Sequence, residues 1–393
     1  MEGLSTRLIH HPYRAPDGFE AAPVAVHKAS TVFFPNVAAL RTRRWQDKSG
    51  YTYGLHGTPT TFTLEQRLAA LEGGRHCVLA PSGLAAIALV DLALLRSGDE
   101  VLIPDNAYGP SLALAEHELA AWGIAHRRYD PLDPDALAAA ITPRTRLVWL
   151  EAAGSVTLEF PDGPALVEVV RRANVGRARP IVTALDDTWG AGVAYQPFEW
   201  GVDIAMQALT KYASGGADVL MGAVVTRDDR LHQALLMTHM RLGLGVGAND
   251  VEAVLRGLPT LALRYRAQDR AARALARWLA RQPRVARVLH PALPGSPGHE
   301  HWKRLARGAA ALLTVVFDDD VRPERVDAFC DALRVFRLGY SWAGPVSLCV
   351  PYDVPALRQR PWPHAPRVVR LAIGLEDVAD LRADLAQALR ALG

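Results

Sequence analysis

Short apolar segments alternate with helical segments through the middle of this chain, and this alternation limits the fold more than any other feature. Five apolar segments have the length of strands, and helical periodicity fills most of the intervals between them. The predicted strands are residues 76–80, 100–104, 147–151, 181–185 and 204–208, and the predicted helices are residues 62–71, 83–97, 111–122 and 164–173. Apolar strands joined by helices are typical of a mostly parallel sheet buried on both faces, so we expect an α/β fold.

A different rhythm begins near residue 250, directly after the glycine-rich stretch LGLGVGAND. Beyond it the sequence predicts a long arginine- and alanine-rich helix, an apolar strand, and a closing strand followed by an amphipathic helix. These elements are residues 267–284, 310–317, 368–375 and 377–392. Because chains of 393 residues commonly divide into two domains, we predict a large domain at 58–250 and a smaller C-terminal α+β domain at 251–393.

The first 57 residues follow neither pattern. Pro12, Pro16, Pro23 and Pro35 are spaced too closely for long helices. We therefore interpret residues 1–57 as an arm that packs outside its own domain. A neighbouring subunit is the obvious candidate for its packing partner.

Charge and apolar content exclude several classes of protein. Net charge is +3, from 44 basic and 41 acidic residues, and this balance does not indicate a nucleic-acid partner. The densest basic stretch, residues 41–44, is interpreted as a solvated turn or subunit contact rather than a phosphate-backbone site. The longest apolar stretch, residues 84–95, is too short to span a bilayer, and the first residues lack the apolar core of a signal peptide. We expect a cytoplasmic protein with no membrane span.

Three cysteines, Cys77, Cys330 and Cys349, lie far apart in apolar runs. Their odd number and wide spacing suit neither a disulfide framework nor a metal site. We predict buried free thiols and no bound metal.

Lysine is rare in this chain, so each lysine is informative. Of the 44 basic residues only four are lysine, at positions 28, 48, 211 and 303. An ammonium can lose its proton and act as a Schiff-base nucleophile, whereas a guanidinium does not deprotonate in practice. Lys211 directly follows an apolar run of strand length, while Lys28, Lys48 and Lys303 are expected at the solvated surface. Lys211 is therefore the candidate for covalent chemistry.

Two further motifs lie where predicted strands end. Ser82-Gly83-Leu84 opens a helix, whose free N–H groups and dipole favour a bound phosphate, although a plain helix cap has the same sequence. Asp186-Asp187 follows a predicted parallel strand, where ligands of open α/β sheets bind. One of these aspartates could pair with a pyridinium nitrogen, or the pair could cap a turn.

Together these segments resemble a known family, nearly end to end and in order. The family is that of the Cys/Met-metabolism enzymes dependent on pyridoxal phosphate (PLP), of fold type I, and the bacterial cystathionine β-lyases within it resemble the chain most. The matching strings are STVFFPNVAAL, YTYGLHGTPTTFTLEQRLAALEGG, PSGLAAI, DNAYGP, LDDTWGAGV, QALTKY, RGLPTLALR, GYSWAGPVSL and RLAIGLEDVADL.

The resemblance implies a fold, an assembly and a set of catalytic residues. The expected fold is the PLP-dependent transferase fold type I, with a seven-stranded, mostly parallel sheet in the large domain, and the expected assembly is a homotetramer of dimers that share their sites. Lys211 would hold PLP as a Schiff base and later move the proton at Cα. Tyr108 would stack on the pyridine ring, and Tyr53 would be donated by a neighbouring subunit. Asp186 would pair with the ring nitrogen.

Further residues are implied at the cofactor phosphate and at the substrate. Gly83, Leu84 and Thr210 resemble the phosphate cradle, and His56 stands where the family has a phosphate-binding arginine. Arg370 matches the arginine that binds the substrate α-carboxylate, for which a guanidinium fork is suited. The substrate-side pair Ser341 and Trp342 matches the SW pair of the bacterial β-lyases, and this favours β-elimination over γ-chemistry.

Four departures from the family pattern lie around the expected pocket. They are Leu55-His56 in place of two arginines, Ala152-Ala153 in place of Ser-Pro, Gly215-Gly216-Ala217-Asp218 in place of Gly-His-Ser-Asp, and SWAG followed by Val346 in place of SWGG followed by Glu. Because the residues that hold PLP are intact, we expect retained PLP chemistry with an altered substrate.

The leading hypothesis is a lyase that cleaves cystathionine or another cysteine S-conjugate to a thiol, pyruvate and ammonia. A second keeps the cofactor but has the enzyme catalyse γ-elimination, γ-replacement or a specialised amino-acid reaction. A third, from another class, is a non-catalytic PLP-fold protein that binds or regulates.

Overall fold

A computed structural model describes residues 3–10, 17–18 and 21–393 of the chain. Pro12 and Pro16, on which the predicted irregularity of the arm partly rests, lie outside the described residues. Within them, two sheets are present, a large one built between residues 76 and 226 and a small one built between residues 285 and 372.

Seven strands form the large sheet of the described residues, in the spatial order β1-β7-β6-β5-β4-β2-β3. Strand β7 runs antiparallel to both of its neighbours, and the other pairings are parallel. The strands are β1 His76–Ala80, β2 Glu100–Pro104, β3 Ala125–Tyr129, β4 Thr145–Glu151, β5 Val182–Asp186, β6 Ile204–Ala208 and β7 Gly222–Thr226. The mostly parallel sheet predicted from the alternation is confirmed.

Helices cover both faces of this sheet. In β1, Cys77 and Leu79 belong to the core that contains helix α3, whereas Val78 and Ala80 belong to the core that contains helix α4. The helices up to the small sheet are α1 Leu4–Ile9, α2 Val37–Arg41, α3 Pro59–Glu72, α4 Gly83–Leu94, α5 Gly109–Leu114 with its π-helical continuation Ala115–Leu119, α6 Pro134–Ala140, α7 Gly163–Ala173, α8 Asp229–Leu242, α9 Ala248–Gly257 and α10 Leu261–Leu279. Single 3₁₀ turns occur at Gly54–His56, Pro197–Glu199 and Leu258–Thr260.

Helix α4 lies unusually close to strand β6. Ser82 caps the helix, since its hydroxyl accepts the N–H of Ala85 at 3.0 Å. A Cβ atom at Gly83 would lie 2.6 Å from the Cβ of Ala208, so only glycine allows this approach. The first turn of α4 is thereby brought next to the segment that carries Thr210 and Lys211.

The small sheet, within the described residues, has five strands in the order β10-β11-β12-β9-β8. One face packs on α10, α12 and α13, and the opposite face is turned toward the large sheet. The elements are β8 Val285–Leu289, α11 His299–Leu305, β9 Leu312–Phe317, α12 Pro323–Ala332, β10 Arg337–Leu338, β11 Leu348–Asp353, β12 Arg367–Ala372 and α13 Val378–Ala388, with 3₁₀ turns at Val354–Ala356 and Leu389–Leu392.

Two strands of the large sheet were not predicted from the sequence. Strand β3 has the sequence AHRRY and lies at the edge of the sheet, where polar side chains reach solvent and no apolar run is needed. Strand β7 was also not predicted. The boundary expected near residue 250 falls inside α9 and stays a prediction, as do the domain limits.

The prediction that Lys48 lies at the solvated surface is wrong, because two oxygen atoms of the protein bind its amine. Its Nζ lies 2.6 Å from Glu65 Oε2 and 2.8 Å from the carbonyl oxygen of Cys77. The three cysteines are buried and free, as predicted. Over the described part of the chain, no helix has both the length and the apolar character needed to cross a bilayer, and no group of three or more His, Cys, Asp or Glu side chains could hold a metal.

Candidate active site

A cavity of about 1000 Å³ lies between the two sheets. The carboxyl ends of β4 and β5 supply Glu151 and Asp186, which are register partners on the paired strands. Lys211 follows β6, and Arg370 projects from β12 on the opposite side. Four charged residues from distant parts of the sequence thus line one cavity.

The Lys211 amine is the most reactive group that this cavity offers. Its Nζ donates to the hydroxyl of Ser341 at 2.8 Å and lies 5.8 Å from the centroid of the Trp342 ring. Burial, helped by the positive charge of Arg370 and opposed by Asp186, lowers the pKa of Lys211 from 10.5 to about 8. A larger share of the amine is therefore neutral, and able to attack an aldehyde, than at an ordinary lysine.

Asp186 and Asp187 face different surroundings, although they are adjacent in sequence. Asp186 lines the cavity, and among the described residues its carboxylate is hydrogen-bonded to Thr188 alone. Burial raises the pKa of Asp186, against the opposing effect of Thr188 and Lys211. Asp187 is fully buried beside Glu72 and is therefore unable to reach a ligand in the cavity.

Tyr108 caps the short helix α5 and lines the same cavity. Its backbone N–H donates to Glu151 Oε2 at 2.8 Å, so the end of β4 holds the tyrosine in place. Burial, and then the nearby Asp186 charge, raises the pKa of the Tyr108 hydroxyl. Glu151 was missed by the sequence analysis; burial and Asp186 also raise the pKa of Glu151.

Arg370 is a buried cation without an acidic partner in the described residues. Its Nη1 donates to the carbonyl oxygen of Ser155 at 3.2 Å, and its guanidinium carbon lies 5.2 Å from the centroid of the Tyr352 ring. The residue is only 6% exposed, and its Nε has no hydrogen-bond acceptor among the described atoms. A buried guanidinium normally requires a carboxylate, so the geometry indicates a site for an anionic ligand group.

The predicted phosphate cradle lines the same cavity as Lys211. Gly83 and Leu84 occupy the first two positions of α4, where backbone N–H groups have no partner within the helix. The Thr210 hydroxyl donates to the carbonyl oxygen of Met221 at 3.4 Å and accepts the backbone N–H of Met221 at 3.3 Å. These two bonds fix the hydroxyl beside Lys211.

Tyr53 and His56 are not brought to the Lys211 cavity within one chain. They border a separate, smaller cavity, and His56 stacks on Trp45 with ring centroids 4.6 Å apart. The His56 ring also shares a hydrogen bond of 2.9 Å with Thr52, and burial lowers the pKa of His56. A neutral imidazole is a poor substitute for arginine at a phosphate.

The positions that depart from the family pattern lie partly in the cavity wall. Ala153, Ala217 and Val346 line it, and a cis peptide bond joins Ala152 to Ala153. Ser341 has φ 91°, in the left-handed region that favours glycine, which aims its hydroxyl at Lys211.

An ionic cluster that the sequence analysis missed joins the two sides of the cavity. Arg358, in the segment between β11 and β12, donates from Nη1 to Glu159 at 2.8 Å and lies 3.4 Å from Asp105. Asp105 also accepts the backbone N–H groups of Gln359 and Arg360 at 2.8 Å and 3.0 Å. We call Arg358, Glu159 and Asp105 the Arg358 cluster.

The Arg358 cluster connects the loops that carry the site residues. Asp105 precedes Tyr108 in one loop, and Glu159 lies in the loop whose Ser155 carbonyl holds Arg370. Arg358 itself is in the segment that leads into β12 and hence to Arg370. The cluster therefore sets the position of Arg370 relative to Tyr108.

These residues fit PLP. A lysine with a lowered pKa can bind its aldehyde, a buried carboxylate with few hydrogen bonds can hold its ring nitrogen, and a glycine-opened helix N-terminus can receive its phosphate. The fold and the cavity define a PLP-dependent enzyme of fold type I.

Comparisons with known proteins agree. Residues 5–390 match the Cys/Met metabolism PLP-dependent enzymes. Cystathionine beta-lyase from Bordetella avium is 39% identical over 99% of this chain and 97% of that protein, and cystathionine gamma-synthase from Mycobacterium bovis is 35% identical over 99% and 97%. The crystal structure of metB from Corynebacterium glutamicum has a TM-score of 0.90 at 29% identity, covering 100% of this chain and 99% of that one. This chain belongs to the Cys/Met metabolism PLP-dependent enzyme family, which confirms the cofactor predicted from the sequence.

The lowered pKa of Lys211 predicts the pH dependence of cofactor capture. Only the neutral amine reacts, so the rate at which the apo form takes up PLP should rise with pH and level off above about 8. Stopped-flow absorbance measures this rate. The Asp186→Asn variant should level off at lower pH and Arg370→Met at higher pH, because the Asp186 charge raises the pKa of Lys211 and the Arg370 charge lowers it. A wild-type rate that still climbs near pH 10, as for an ordinary lysine, would contradict this.

Removing Arg358 should weaken both the fold and substrate binding. Arg358→Met leaves Glu159 buried without its cation, and we expect the free energy of unfolding to fall by about 3 kcal/mol. Misplacement of Arg370 should raise KM for amino-acid substrates roughly tenfold, with the cofactor spectrum unchanged. The matched control is Arg360→Met in the same segment, which breaks the pair between an exposed guanidinium and the half-buried Asp130 and should change stability by less than about 1 kcal/mol. Equal effects of the two variants in denaturation and kinetics would refute the role of the cluster.

Proposed function

We propose that this enzyme is a carbon–sulfur β-lyase that cleaves cystathionine or a related cysteine S-conjugate to a thiol, pyruvate and ammonia. The observation that carries the proposal is the buried guanidinium of Arg370, which has no acidic partner among the described residues and lies across the cavity from the Lys211 amine. A bidentate bond to the α-carboxylate would place the Cα–H of an amino acid beside Lys211.

Each side chain then has a defined task. Bound PLP supplies an electron sink that stabilises negative charge at Cα. Lys211 would hold the cofactor, and its Nζ would remove the Cα proton of the substrate. Asp186 would pair with the ring nitrogen and keep it protonated, while the N–H groups of Gly83 and Leu84 and the hydroxyl of Thr210 would bind the phosphate. Tyr108 would stack on the ring and orient the substrate amine.

The leading reaction and its alternative differ in the carbon atom that carries the leaving group, Cβ or Cγ. The Ser341 hydroxyl lies 2.8 Å from the Lys211 amine and the Trp342 ring centroid lies 5.8 Å from it, which supports contacts of both residues with a substrate near Cα and Cβ. This supports β-elimination. The similarity to a cystathionine gamma-synthase supports γ-elimination or γ-replacement as the second candidate.

Incubation of the holoenzyme with cystathionine tests the proposal. We expect pyruvate, and 2-oxobutyrate in its place would indicate γ-cleavage. Lys211→Ala should lose both activity and the visible absorption of the lysine-bound cofactor. Arg370→Ala should raise KM roughly 100-fold because a charge-assisted contact is lost, and its cofactor spectrum should remain. A spectrum lost with Arg370→Ala would contradict its assignment to the substrate.

We also propose that residues 1–57 form an arm that packs on a neighbouring subunit, in a homotetramer whose sites are shared and to which Tyr53 contributes from the adjacent chain. The arm exposes large apolar side chains, namely Val26, Phe33, Val37, Leu40, Tyr51 and Tyr53. Such a set is typical of a surface that a partner covers. Three buried free thiols suit the reducing cytoplasm, which we propose as the location.

Phe33→Asp tests the arm. This residue is 92% exposed, so a charge there should leave the fold intact but should be costly in a subunit contact, shifting the assembly toward smaller species. Light scattering after size-exclusion chromatography measures the mass. Val175→Asp is the matched control, because Val175 is 82% exposed and lies after α7, outside the arm. If both variants keep the wild-type mass, Phe33 is not in an interface.

A further inference from the structure

Two acidic side chains meet inside the protein core, behind Asp186. Glu72 is the last residue of α3 and is 1% exposed, and Asp187 directly follows β5 and is 0% exposed. Three of their oxygen atoms, both of Glu72 and Oδ1 of Asp187, have no hydrogen-bond donor among the described residues. Because the single chain already buries both groups, contact with a neighbouring subunit leaves their surroundings unchanged.

The loop after β5 is fixed against the end of α3. The Gly192 N–H donates to Asp187 Oδ2 at 2.9 Å. A Cβ atom on Gly192 would lie 2.9 Å from Leu71 Cγ, so this loop touches the last turn of α3. The Gln196 side-chain amide donates to the carbonyl oxygens of Leu71 and Gly192 at 3.2 Å and 2.9 Å. These contacts hold the Asp187 carboxyl group beside that of Glu72.

No cation among the described residues compensates these two acids. The titratable groups that act on them are Asp186 and the phenols of Tyr195 and Tyr265, none of which carries positive charge. The Gln207 amide, which lines the same small void as Glu72, is uncharged. Two adjacent buried carboxylates without a cation are not ionised together, so at least one keeps a proton.

The local geometry places that proton on Glu72. The C-terminal end of a helix carries partial negative charge, which disfavours an ionised group at the end of α3. Asp187 instead accepts the Gly192 N–H, which favours its ionised form. Burial raises the pKa of both groups, and the Asp187 charge adds to this effect at Glu72. A protonated Glu72 would supply the donor that Asp187 Oδ1 lacks.

We infer that Glu72 and Asp187 share a single proton, and that the one negative charge left on this acid pair helps Asp186 to keep the pyridine nitrogen of the cofactor protonated. This inference rests on the proposed pairing of Asp186 with the ring nitrogen. The Asp187 N–H donates to the Met206 carbonyl oxygen at 2.8 Å, which fixes the charge directly behind Asp186. A nearby negative charge raises the affinity of Asp186 and its partner for a proton. Glu72 and Asp187 are thus positioning residues, since they act through Asp186.

Infrared difference spectroscopy of the holoenzyme tests the shared proton. At pH 7, where an ordinary glutamate is ionised, Glu72→Gln should remove the carbonyl stretching band of a protonated carboxyl group. Glu168→Gln is the matched control, because Glu168 is partly exposed and paired with Arg171 and Arg172, and it should remove only bands of an ionised carboxylate. Loss of carboxylate bands alone in Glu72→Gln would show an ionised Glu72 and would overturn the inference.

The pH at which the ring nitrogen loses its proton tests the role of the charge. ¹⁵N NMR of the holoenzyme with ring-labelled PLP measures this pH without substrate. Glu72→Gln should leave it unchanged, because the glutamine amide replaces the acid as donor and Asp187 stays ionised. In the double variant Glu72→Gln/Asp187→Asn the pair carries no charge, and we expect this pH to fall by about one unit. Asp187→Asn alone, in which the buried Glu72 keeps its proton, should give the same fall.

The outcomes separate this inference from the proposed function. An unchanged pH in both Asp187→Asn variants, or an equal fall in Glu72→Gln, would overturn the role assigned to the charge. A ring nitrogen without a proton in the wild-type enzyme would overturn both this role and the proposed pairing with Asp186. Failure to form pyruvate from cystathionine would overturn the β-lyase function, whereas the infrared and NMR results, obtained without substrate, would still support the shared proton and its charge.

Discussion

Helices cover both faces of the large sheet, and the charged side chains that its central strands bring to the cavity lie at the strand ends. The carboxyl ends of β4, β5 and β6 meet at one edge, where Glu151, Asp186 and the segment leading to Lys211 come together. The close contact of Gly83 with Ala208 adds the N-terminus of α4 to the same edge. The burial of both sheet faces therefore determines where the candidate active site lies.

Charges in this cavity are arranged by how each is compensated. Arg358 is paired with Glu159 and Asp105 and holds two loops together, whereas Arg370 has no acidic partner among the described residues and donates to the carbonyl oxygen of Ser155. We therefore assign one buried arginine to structure and propose the other as a contact for a ligand. Burial similarly lowers the pKa of Lys211, which prepares its amine for reaction with an aldehyde. A buried charge requires a partner, and this rule distinguishes the role of Arg358 from that of Arg370.

Much of the site could be predicted because its residues follow local patterns. Lys211 is a rare residue type directly after a strand, Asp186 ends a strand, and the motif strings place Tyr108 and Arg370. Glu151 and Arg358 could not be found in this way. Glu151 ends a predicted strand and Asp186 directly follows one, but no motif gave Glu151 a role. Arg358 acquires its partners only when segments about 200 residues apart meet. Tyr53 and His56 lie away from the Lys211 cavity within one chain, and their proposed role depends on a neighbouring subunit.

Sequence alone indicated the α/β fold class and the candidate lysine, since hydrophobic periodicity and residue chemistry are local properties of a chain, and the resemblance to a known family implied the cofactor. Tertiary structure decided which aspartate faces the cavity and which of the two buried arginines has carboxylate partners among the described residues. Those outcomes depend on side-chain direction and on contacts between distant segments, and neither is encoded in the spacing of residues along the chain.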